Sequence, residues 1–251
     1  ETGATATVVD ADYGDLSPGV FTEAEYVTYD SEDGLEIGAL LYRAPTTPST
    51  AVVHVHGGPA ARAERRFEPY GKYAQFFVSR GYTVLQPNYR GSTGRGAEFR
   101  RRIHGDWGGG DAADVAAAGE WLQSQAFVDA DRVAVFGQSY GAYSVFVQLT
   151  KYPTLWTAGV AWNGRTEGGD RQYGPIDNAE TVECPLLVLA GENDPRLDEM
   201  RRFRDALLER GWTEGEEFEY VELESEGHHS RDTDHQIRRF QHIEAFLDSR
   251  V

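Results

Sequence analysis

Cysteine and long apolar runs are almost missing from this sequence. The single cysteine, Cys184, excludes an intrachain disulfide and favours a reducing compartment, so we expect a cytoplasmic location. No apolar stretch approaches the ~18 residues of a membrane span. No basic segment followed by an apolar one marks a signal peptide near the start of the chain. These absences predict a protein without a membrane partner.

Lysine is also scarce, and the chain is strongly acidic. Lys72 and Lys151 are the only lysines among 24 basic residues, and 41 acidic residues bring the formal net charge to −17. A nonspecific nucleic-acid binder needs a basic surface, so we expect no nucleic-acid partner. A dense acidic surface keeps a protein dispersed where salt screens repulsion, which favours adaptation to high salt. A GC-rich genome also replaces Lys by Arg, but it does not by itself explain the net charge.

The residues that are present indicate one α/β domain. Apolar residues make up 40% of the 251 residues, as is typical of a globular protein. Apolar runs of strand length alternate with helical patterns, which predicts a mostly parallel central sheet with helices on both faces. Strands are predicted over 24–30, 35–44, 51–56, 83–88, 132–137, 157–162, 185–190 and 217–223, and helices near 70–80, 111–125, 140–151, 197–210 and 235–249.

The chain is predicted to consist of a weakly structured lead-in over residues 1–20 and a single domain over 21–251. The first two strands flank "SEDG" and are predicted to form a hairpin. The chain begins at Glu1 and its only methionine is Met200, so we expect a protein that was processed or cut from a longer one.

The stretch "VFGQSYGAY" places Ser139 between two glycines, directly after a predicted strand and before a predicted helix. This is the context of a nucleophile elbow, in which the flanking glycines let the chain turn sharply and expose the serine. The positive N-terminal end of the following helix would face a developing oxyanion. The sequence therefore predicts Ser139 as a nucleophile.

A serine nucleophile needs a base and an acid, and in this type of fold the order along the chain is serine, acid, histidine. Asp194 lies in "GENDPR" after one predicted strand, and His228 lies in "ESEGHHSRD" after the next. Catalytic groups gather at the carboxyl ends of parallel strands. Asp194 and His228 are thus the predicted partners of Ser139. The alternatives are His229 for the base, and Glu192 or Asp198 for the acid.

An oxyanion site is expected from the first strand-to-helix loop together with the amide that follows the nucleophile. That loop reads "HVHGGP", so the predicted donors are the backbone N–H groups of Gly58 and Tyr140. His54 and His56 also raise a metal site as an alternative, since metallohydrolases use His-x-His at strand ends. No second ligand motif accompanies them, so we expect no metal, with His54 buried in a strand and His56 shaping the loop.

Six motifs in order resemble the catalytic domain of the prolyl oligopeptidase family, and its acylaminoacyl peptidase branch in particular, from about residue 24 onward. They are "HGGP" (56–59), "NYRGSTGRG" (88–96), "GDWGGGDAAD" (105–114), "GQSYGAY" (137–143), "GENDPR" (191–196) and "EGHH" (226–229). The resemblance implies an α/β-hydrolase fold, a triad of Ser139, Asp194 and His228, and oxyanion donors at Gly58 and Tyr140.

The resemblance also implies further roles. Arg196 matches a position that can face the substrate, although a surface salt bridge is an equal alternative. Arg90 and Trp107 belong to motifs that are structural in the family. Three departures stand out: the 251 residues contain no β-propeller, the segment after Trp162 is short, and Gln138 and Ala142 replace the more usual glycines.

The resulting hypothesis is a serine hydrolase that cleaves short acyl substrates, either small or acylated peptides or esters, through an acyl-enzyme. The alternative is a catalytically compromised domain that serves interaction or assembly, because a trimmed segment after Trp162 could expose apolar surface. No nucleotide or phosphate motif is evident, so no cofactor is expected. Self-association into a homo-oligomer is left open.

The acidic composition predicts salt dependence. We expect the protein to keep its fold and to react with a fluorophosphonate in molar KCl. In dilute buffer it should lose that reaction, because repulsion within the net charge of −17 is less screened at low ionic strength. Intact mass and circular dichroism across a salt series would measure both. Equal labelling and ellipticity in the two buffers would contradict adaptation to salt.

Overall fold

A computed structural model describes residues 21–168 and 172–251; the predicted lead-in over residues 1–20 lies outside the described residues. The described strands form an eight-stranded sheet in the order β1-β2-β4-β3-β5-β6-β7-β8. The strands are β1 (Glu25–Asp30), β2 (Glu36–Tyr42), β3 (Ser49–Val55), β4 (Thr83–Pro87), β5 (Val128–Gln138), β6 (Ala158–Trp162), β7 (Leu186–Gly191) and β8 (Phe218–Leu223). β1 and β2 are antiparallel, as are β2 and β4, and all other neighbours are parallel.

Helices cover both faces of the sheet. They are α1 (Lys72–Ser79), α2 (Gly96–Arg101), α3 (Gly110–Gln123), α4 (Tyr140–Lys151), α5 (Leu197–Glu209) and α6 (Thr233–Arg250). Side chains of α3, α4 and α5 join one buried cluster, and side chains of α1 and α6 join another on the opposite face. None of the described helices is long and apolar enough to cross a membrane.

The predicted α/β-hydrolase architecture is confirmed, with two additions. Every predicted strand and helix is present within a few residues, because parallel strands buried on both faces stand out as continuous apolar runs. The short helix α2 and a 3₁₀ segment at Pro175–Thr181 were not predicted, since neither is long enough to show a clear hydrophobic period.

The fold gathers the loops that follow the parallel strands at one edge of the sheet. Because β3, β5, β6, β7 and β8 are mutually parallel, the loops that follow them all begin at the same edge. These loops carry Gly58, Ser139, Asn163, Asp194 and His228. The topology therefore places residues that are up to 170 positions apart in one neighbourhood.

A buried ion pair anchors the loop after β4 to α3, as expected of a structural motif. The Arg90 guanidinium donates to both carboxylate oxygens of Asp114, with Nη2–Oδ1 at 2.7 Å and Nε–Oδ2 at 2.9 Å. The Arg90 backbone N–H also donates to Oδ2 at 2.7 Å. Asp33, in the β1–β2 turn, accepts from the outer guanidinium nitrogens at 3.0 Å. Arg90 thereby links the hairpin to the centre of the domain.

Replacing Arg90 by Ala should destabilise the fold by about 3–5 kcal/mol, because the Asp114 carboxylate would stay buried without its partner. Arg102→Ala is the matched control, since Arg102 forms an exposed pair with Glu98 at 3.1 Å. We expect that change to cost no more than about 1 kcal/mol. Urea unfolding of the three proteins would measure the difference, and equal midpoints for all three would refute it.

Candidate active site

Ser139 lies on a strained turn between β5 and α4. Its φ of 60° and ψ of −119° are unusual for a residue with a side chain. The flanking glycines are required by close backbone approach. A Cβ on Gly137 would lie 2.3 Å from the Gly141 carbonyl group, and a Cβ on Gly141 would lie 2.1 Å from the Val55 carbonyl oxygen. The Gly-x-Ser-x-Gly motif therefore serves packing between the elbow and β3 as well as the turn.

The structure brings Ser139, His228 and Asp194 into one hydrogen-bonded row. The distance between His228 Nε2 and Ser139 Oγ is 2.9 Å, and that between His228 Nδ1 and Asp194 Oδ2 is 2.5 Å. Beside an ionised carboxylate, Nδ1 carries the proton and donates it, which leaves Nε2 free to accept from the serine hydroxyl. The side chain of Asp194 is fully buried, and 24% of the His228 side chain is exposed. The row thus runs from the interior to the surface.

Asp194 keeps its negative charge although it is buried. Burial by itself raises the pKa of this carboxyl group. Hydrogen bonds from the His228 side chain and the Arg196 backbone N–H lower it, as do the positive charges of both residues, and together they outweigh burial. The net effect lowers the pKa of Asp194. The Arg196 N–H donates to Asp194 Oδ1 at 2.7 Å, and the Asp194 N–H donates to the Gly191 carbonyl at 2.9 Å. The turn therefore orients the carboxylate toward the imidazole.

The alternative base and acids lie in other contacts. The His229 ring packs edge-on against His228, and its Nδ1 lies 3.1 Å from Gln138 Nε2. Glu192 accepts the Ser225 N–H at 2.9 Å, and the exposed Asp198 lies 3.5 Å from Arg201. Among the described hydrogen bonds, none joins these three side chains to Ser139 or His228.

The "HGGP" loop lies against the elbow. A Cβ on Gly57 would come within 3.5 Å of Ser139 Cβ, so this loop and the serine are direct neighbours. Gly58 has a φ of 129°, which residues with a side chain rarely adopt. Tyr140 is the first residue of α4, where amide N–H groups have no intrahelical acceptor. Both predicted oxyanion donors thus belong to segments that border Ser139.

His54 and His56 are buried and are held by protein groups. His54 Nδ1 accepts from Gln86 Nε2 at 2.7 Å, while His56 contacts Ser92 Oγ at 2.8 Å and the Gly57 carbonyl at 2.9 Å. Burial lowers the pKa of His54 to about 3 and that of His56 to about 4, so both rings are neutral near pH 7. In the described part of the chain, no group of three or more His, Cys, Asp or Glu side chains could hold a metal ion.

A buried carboxyl group beneath the site, Asp111, was missed by sequence reasoning. The Tyr140 hydroxyl donates to Asp111 Oδ2 at 2.6 Å, and the Gly108 N–H donates to Oδ1 at 2.9 Å. The Tyr140 ring packs between Tyr89 and Trp107, at centroid distances of 5.8 and 4.9 Å. Asp111 thereby holds the side chain of the residue next to Ser139. Its position in an acidic Gly-rich motif gave no sign that it is buried.

A second buried ion pair connects the loop that carries His228 to α6. Glu226 is almost fully buried and lies 3.2 Å from Arg239 of α6. The Arg239 guanidinium stacks on the Trp162 ring at 4.1 Å and donates to the Ser230 carbonyl at 3.2 Å. Glu226 also accepts the Asn193 N–H through its backbone carbonyl at 2.8 Å. These contacts attach the histidine loop to both α6 and the turn of Asp194.

Arg196 lies beside the row of Ser139, His228 and Asp194. One guanidinium nitrogen is 3.5 Å from His228 Nδ1, and the side chain is partly exposed. Among the residues whose side chains the structure describes, none of the ion pairs joins a carboxylate to Arg196. The surface salt bridge considered as its alternative role is therefore not found among those residues.

The short segment after β6 packs on its neighbours. Thr166 donates its N–H to Glu199 Oε2 at 3.1 Å and its hydroxyl to the Glu199 carbonyl at 3.0 Å. Gln172 forms an isolated bridge with Trp107, and the Tyr143 hydroxyl donates to the Tyr173 carbonyl at 2.8 Å. The described parts of the segment thus contact α5, α4 and the loop before α3.

The chain's relatives are peptidases. The profile of the prolyl oligopeptidase family matches residues 69–168 and 166–251. This chain belongs to the prolyl oligopeptidase family. The dipeptidyl aminopeptidase BIII of Pseudoxanthomonas mexicana is 31% identical over 213 residues, which cover 72% of this chain and 30% of the relative. The acylamino-acid-releasing enzyme of Sus scrofa is 27% identical over 212 residues, which cover 70% of this chain and 28% of the relative.

A solved structure gives the same fold. A puromycin-hydrolyzing peptidase of Mycobacterium tuberculosis superposes with a TM-score of 0.84 at 24% identity, over 94% of this chain and 40% of the other. The chain spans about a third of the length of the curated relatives it matches. These matches confirm the family and the fold that the six motifs predicted.

Burial raises the pKa of Asp111 to about 6, against the hydrogen bonds from Tyr140 and Gly108. The folded state therefore binds this proton more tightly than the unfolded chain, where an Asp titrates near 3.9. This group stabilises the protein less as pH rises from about 4 to about 6.

Asp111→Asn should remove this pH-dependent loss of stability, because asparagine does not titrate. The loss in the free energy of unfolding amounts to at most about 3 kcal/mol for a shift of about two pKa units. Urea unfolding between pH 4 and 7 would show a flatter stability profile for the variant than for the parent. Asp106→Asn is the control, because it alters an exposed carboxyl group of the same segment. Parallel profiles for Asp111→Asn and the parent would contradict the prediction.

Proposed function

We propose that this chain is a serine hydrolase that cleaves short acyl substrates by acyl transfer to Ser139, with His228 as general base and Asp194 as the group that orients it. The observation that carries the proposal is the row of contacts at 2.9 and 2.5 Å on a serine with positive φ. Membership of a family of peptidases supports the same reaction class.

In the first step, Ser139 Oγ attacks the carbonyl carbon of the substrate while His228 Nε2 takes the hydroxyl proton. The Asp194 carboxylate stabilises the imidazolium that forms, through the hydrogen bond to Nδ1. The tetrahedral intermediate expels the amine or alcohol, which receives the proton from Nε2, and an ester to Ser139 remains. Water then attacks this acyl-enzyme with His228 again as base, which releases the acid and restores the serine.

The oxyanion of each intermediate would accept hydrogen bonds from the N–H groups of Gly58 and Tyr140. The N-terminal end of α4 adds its positive dipole at the same point. Removal of one such donor typically costs about 10²–10³ in rate. The hydrogen bond to Asp111 and the packing against Tyr89 and Trp107 hold the side chain of Tyr140 in place.

Short or N-blocked peptides are the proposed substrate class, with esters as simpler substrates of the same site. Relatives named as a dipeptidyl aminopeptidase and as an acylamino-acid-releasing enzyme favour peptides of this kind. Arg196, which lies at the site without an ion-pair partner among the described residues, would donate hydrogen bonds to a carbonyl or carboxylate oxygen of the substrate. No cofactor takes part in the proposed reaction.

The alternative of an interaction or assembly module finds little support on the described surface. The exposed large hydrophobic side chains within it, Tyr26, Leu208 and Ile237, lie on β1, α5 and α6. α5 and α6 pack on opposite faces of the sheet, so these side chains do not form one patch.

The test of the proposed function is covalent labelling by a fluorophosphonate followed by intact mass. We expect one adduct on the parent and none on a folded Ser139→Ala variant. His228→Ala should slow labelling and hydrolysis by at least about 10³-fold, because the base is removed. His229→Ala is the matched control and should stay within about threefold of the parent, since its ring packs on His228 and contacts Gln138 but is not hydrogen-bonded to Ser139.

Hydrolysis of an aryl ester and of a matched acylated amino-acid anilide would then define the substrate preference. A folded parent that gains no adduct in either dilute buffer or molar salt would refute the proposed hydrolase. Equal losses from His228→Ala and His229→Ala would refute His228 as the base.

A further inference from the structure

Asn163 is a buried residue at the carboxyl end of β6 that no motif singled out. It directly follows Trp162, has no exposed surface and adopts a φ of 53°. Asparagine tolerates this left-handed conformation better than most residues. Its backbone N–H donates to the Leu189 carbonyl of β7 at 2.9 Å. The side chain therefore starts from a fixed backbone at the end of β6, between the strand that precedes the nucleophile and the strand that precedes the acid.

The Asn163 side chain joins the turn of the acid to the loop of the base. Its Oδ1 accepts the Gly191 N–H at 2.7 Å, and Gly191 in turn accepts the Asp194 N–H at 2.9 Å. Its Nδ2 donates to the carbonyl oxygens of Gly227 and His228 at 3.1 and 3.2 Å. One N–H and two carbonyl groups surround the amide, so only this orientation satisfies all three partners. Both the oxygen and the nitrogen of the amide are thus hydrogen-bonded.

Gln138 contacts the same loop from the neighbouring strand β5. Its Nε2 lies 3.3 Å from the His228 carbonyl oxygen and 3.1 Å from His229 Nδ1. Gln138 directly precedes Ser139, at the end of β5. The carbonyl group of His228 therefore receives one N–H from the residue next to the nucleophile and one from the residue that holds the acid turn.

We infer that Asn163 is a positioning residue that sets the place of the His228 imidazole between Asp194 and Ser139, and that Gln138 assists it. This inference rests on the proposed function. The imidazole must stay within hydrogen-bond reach of both neighbours, and misplacement by about 1 Å can cost about 10²-fold in rate. Asn163 touches neither Ser139 nor the imidazole ring in the contacts described, so it acts through the backbone of His228.

The decisive variant is Asn163→Asp, which keeps the size of the side chain and an oxygen for the Gly191 N–H but turns the two donated hydrogen bonds into carboxylate–carbonyl repulsion. We expect kcat per fluorophosphonate-titrated site to fall about 10- to 100-fold with KM within about threefold. The rate of fluorophosphonate labelling should fall by a similar factor. Gln138→Gly removes the weaker donor and should reduce kcat by no more than about fivefold.

Gln148→Glu is the matched control. Gln148 is another fully buried amide, donates to the Ala112 carbonyl at 2.8 Å, and lies two turns along α4 from the elbow. Its conversion to a carboxyl group should lower stability and leave kcat per titrated site unchanged. The two variants thus separate a buried amide that positions the base from one that only stabilises the fold.

A spectroscopic readout makes the test independent of turnover. The proton that His228 Nδ1 donates to Asp194 should give a far-downfield NMR signal in the parent and in Gln148→Glu, and the signal should shift or broaden in Asn163→Asp. Should Asn163→Asp fail to fold, Asn163→Ser provides the second variant, with one donor retained and a smaller loss expected.

The two proposals fail in different ways. A folded parent that shows the downfield signal but neither labelling nor hydrolysis would overturn the proposed function. An active parent with Asn163→Asp at the same kcat per titrated site and the same downfield signal would overturn the positioning role. Equal losses of kcat per site in Asn163→Asp and Gln148→Glu would overturn it as well.

Discussion

The approach of three backbone segments at Ser139 is the constraint on which the rest of the site depends. β3 and β5 lie side by side, and the first turn of α4 packs closely onto the ends of both strands. A Cβ on Gly137 would collide with Gly141, and a Cβ on Gly141 would collide with Val55. This packing holds Ser139 at positive φ and brings the Gly57–Gly58 loop beside it. The strained turn persists because the buried last part of β5 and the buried helix α4 hold its two ends.

Three buried carboxyl groups of the fold serve different purposes because their local contacts differ. Asp114 pairs with Arg90 through two guanidinium hydrogen bonds and serves as an anchor. Asp194 has its pKa lowered by partners that outweigh burial, so it is an ionised partner for His228. For Asp111 burial dominates, and its pKa rises to about 6. The same residue type thus supplies a structural ion pair, a permanent charge beside the imidazole and a group that titrates in the mildly acidic range.

Much of the site could be predicted from short stretches of the sequence. The strand, turn and helix around Ser139 could be predicted because the apolar run, the glycines and the aliphatic helix are contiguous. Asp194 and His228 could be proposed because each follows a strand, and parallel strands end at one edge. Gly58 and Tyr140 followed from their places next to the first loop and the serine. The family membership rested on six motifs in order, which the profile match confirms.

Asn163, Asp111 and Glu226 could not be assigned from the sequence, because their roles arise from partners far along the chain. Asn163 contacts residues about 28 and 65 positions away, and Asp111 contacts Tyr140 at a separation of 29. In a chain with 41 acidic residues, a buried carboxyl group looks no different from a solvated one.

The sequence by itself determined the order of strands and helices, the elbow and the family, since these depend on neighbours in the chain. Only the tertiary structure decided which carboxyl groups are buried and which amide side chains hold the loop of His228, because burial and hydrogen-bond partners exist only once the sheet has brought the loops together.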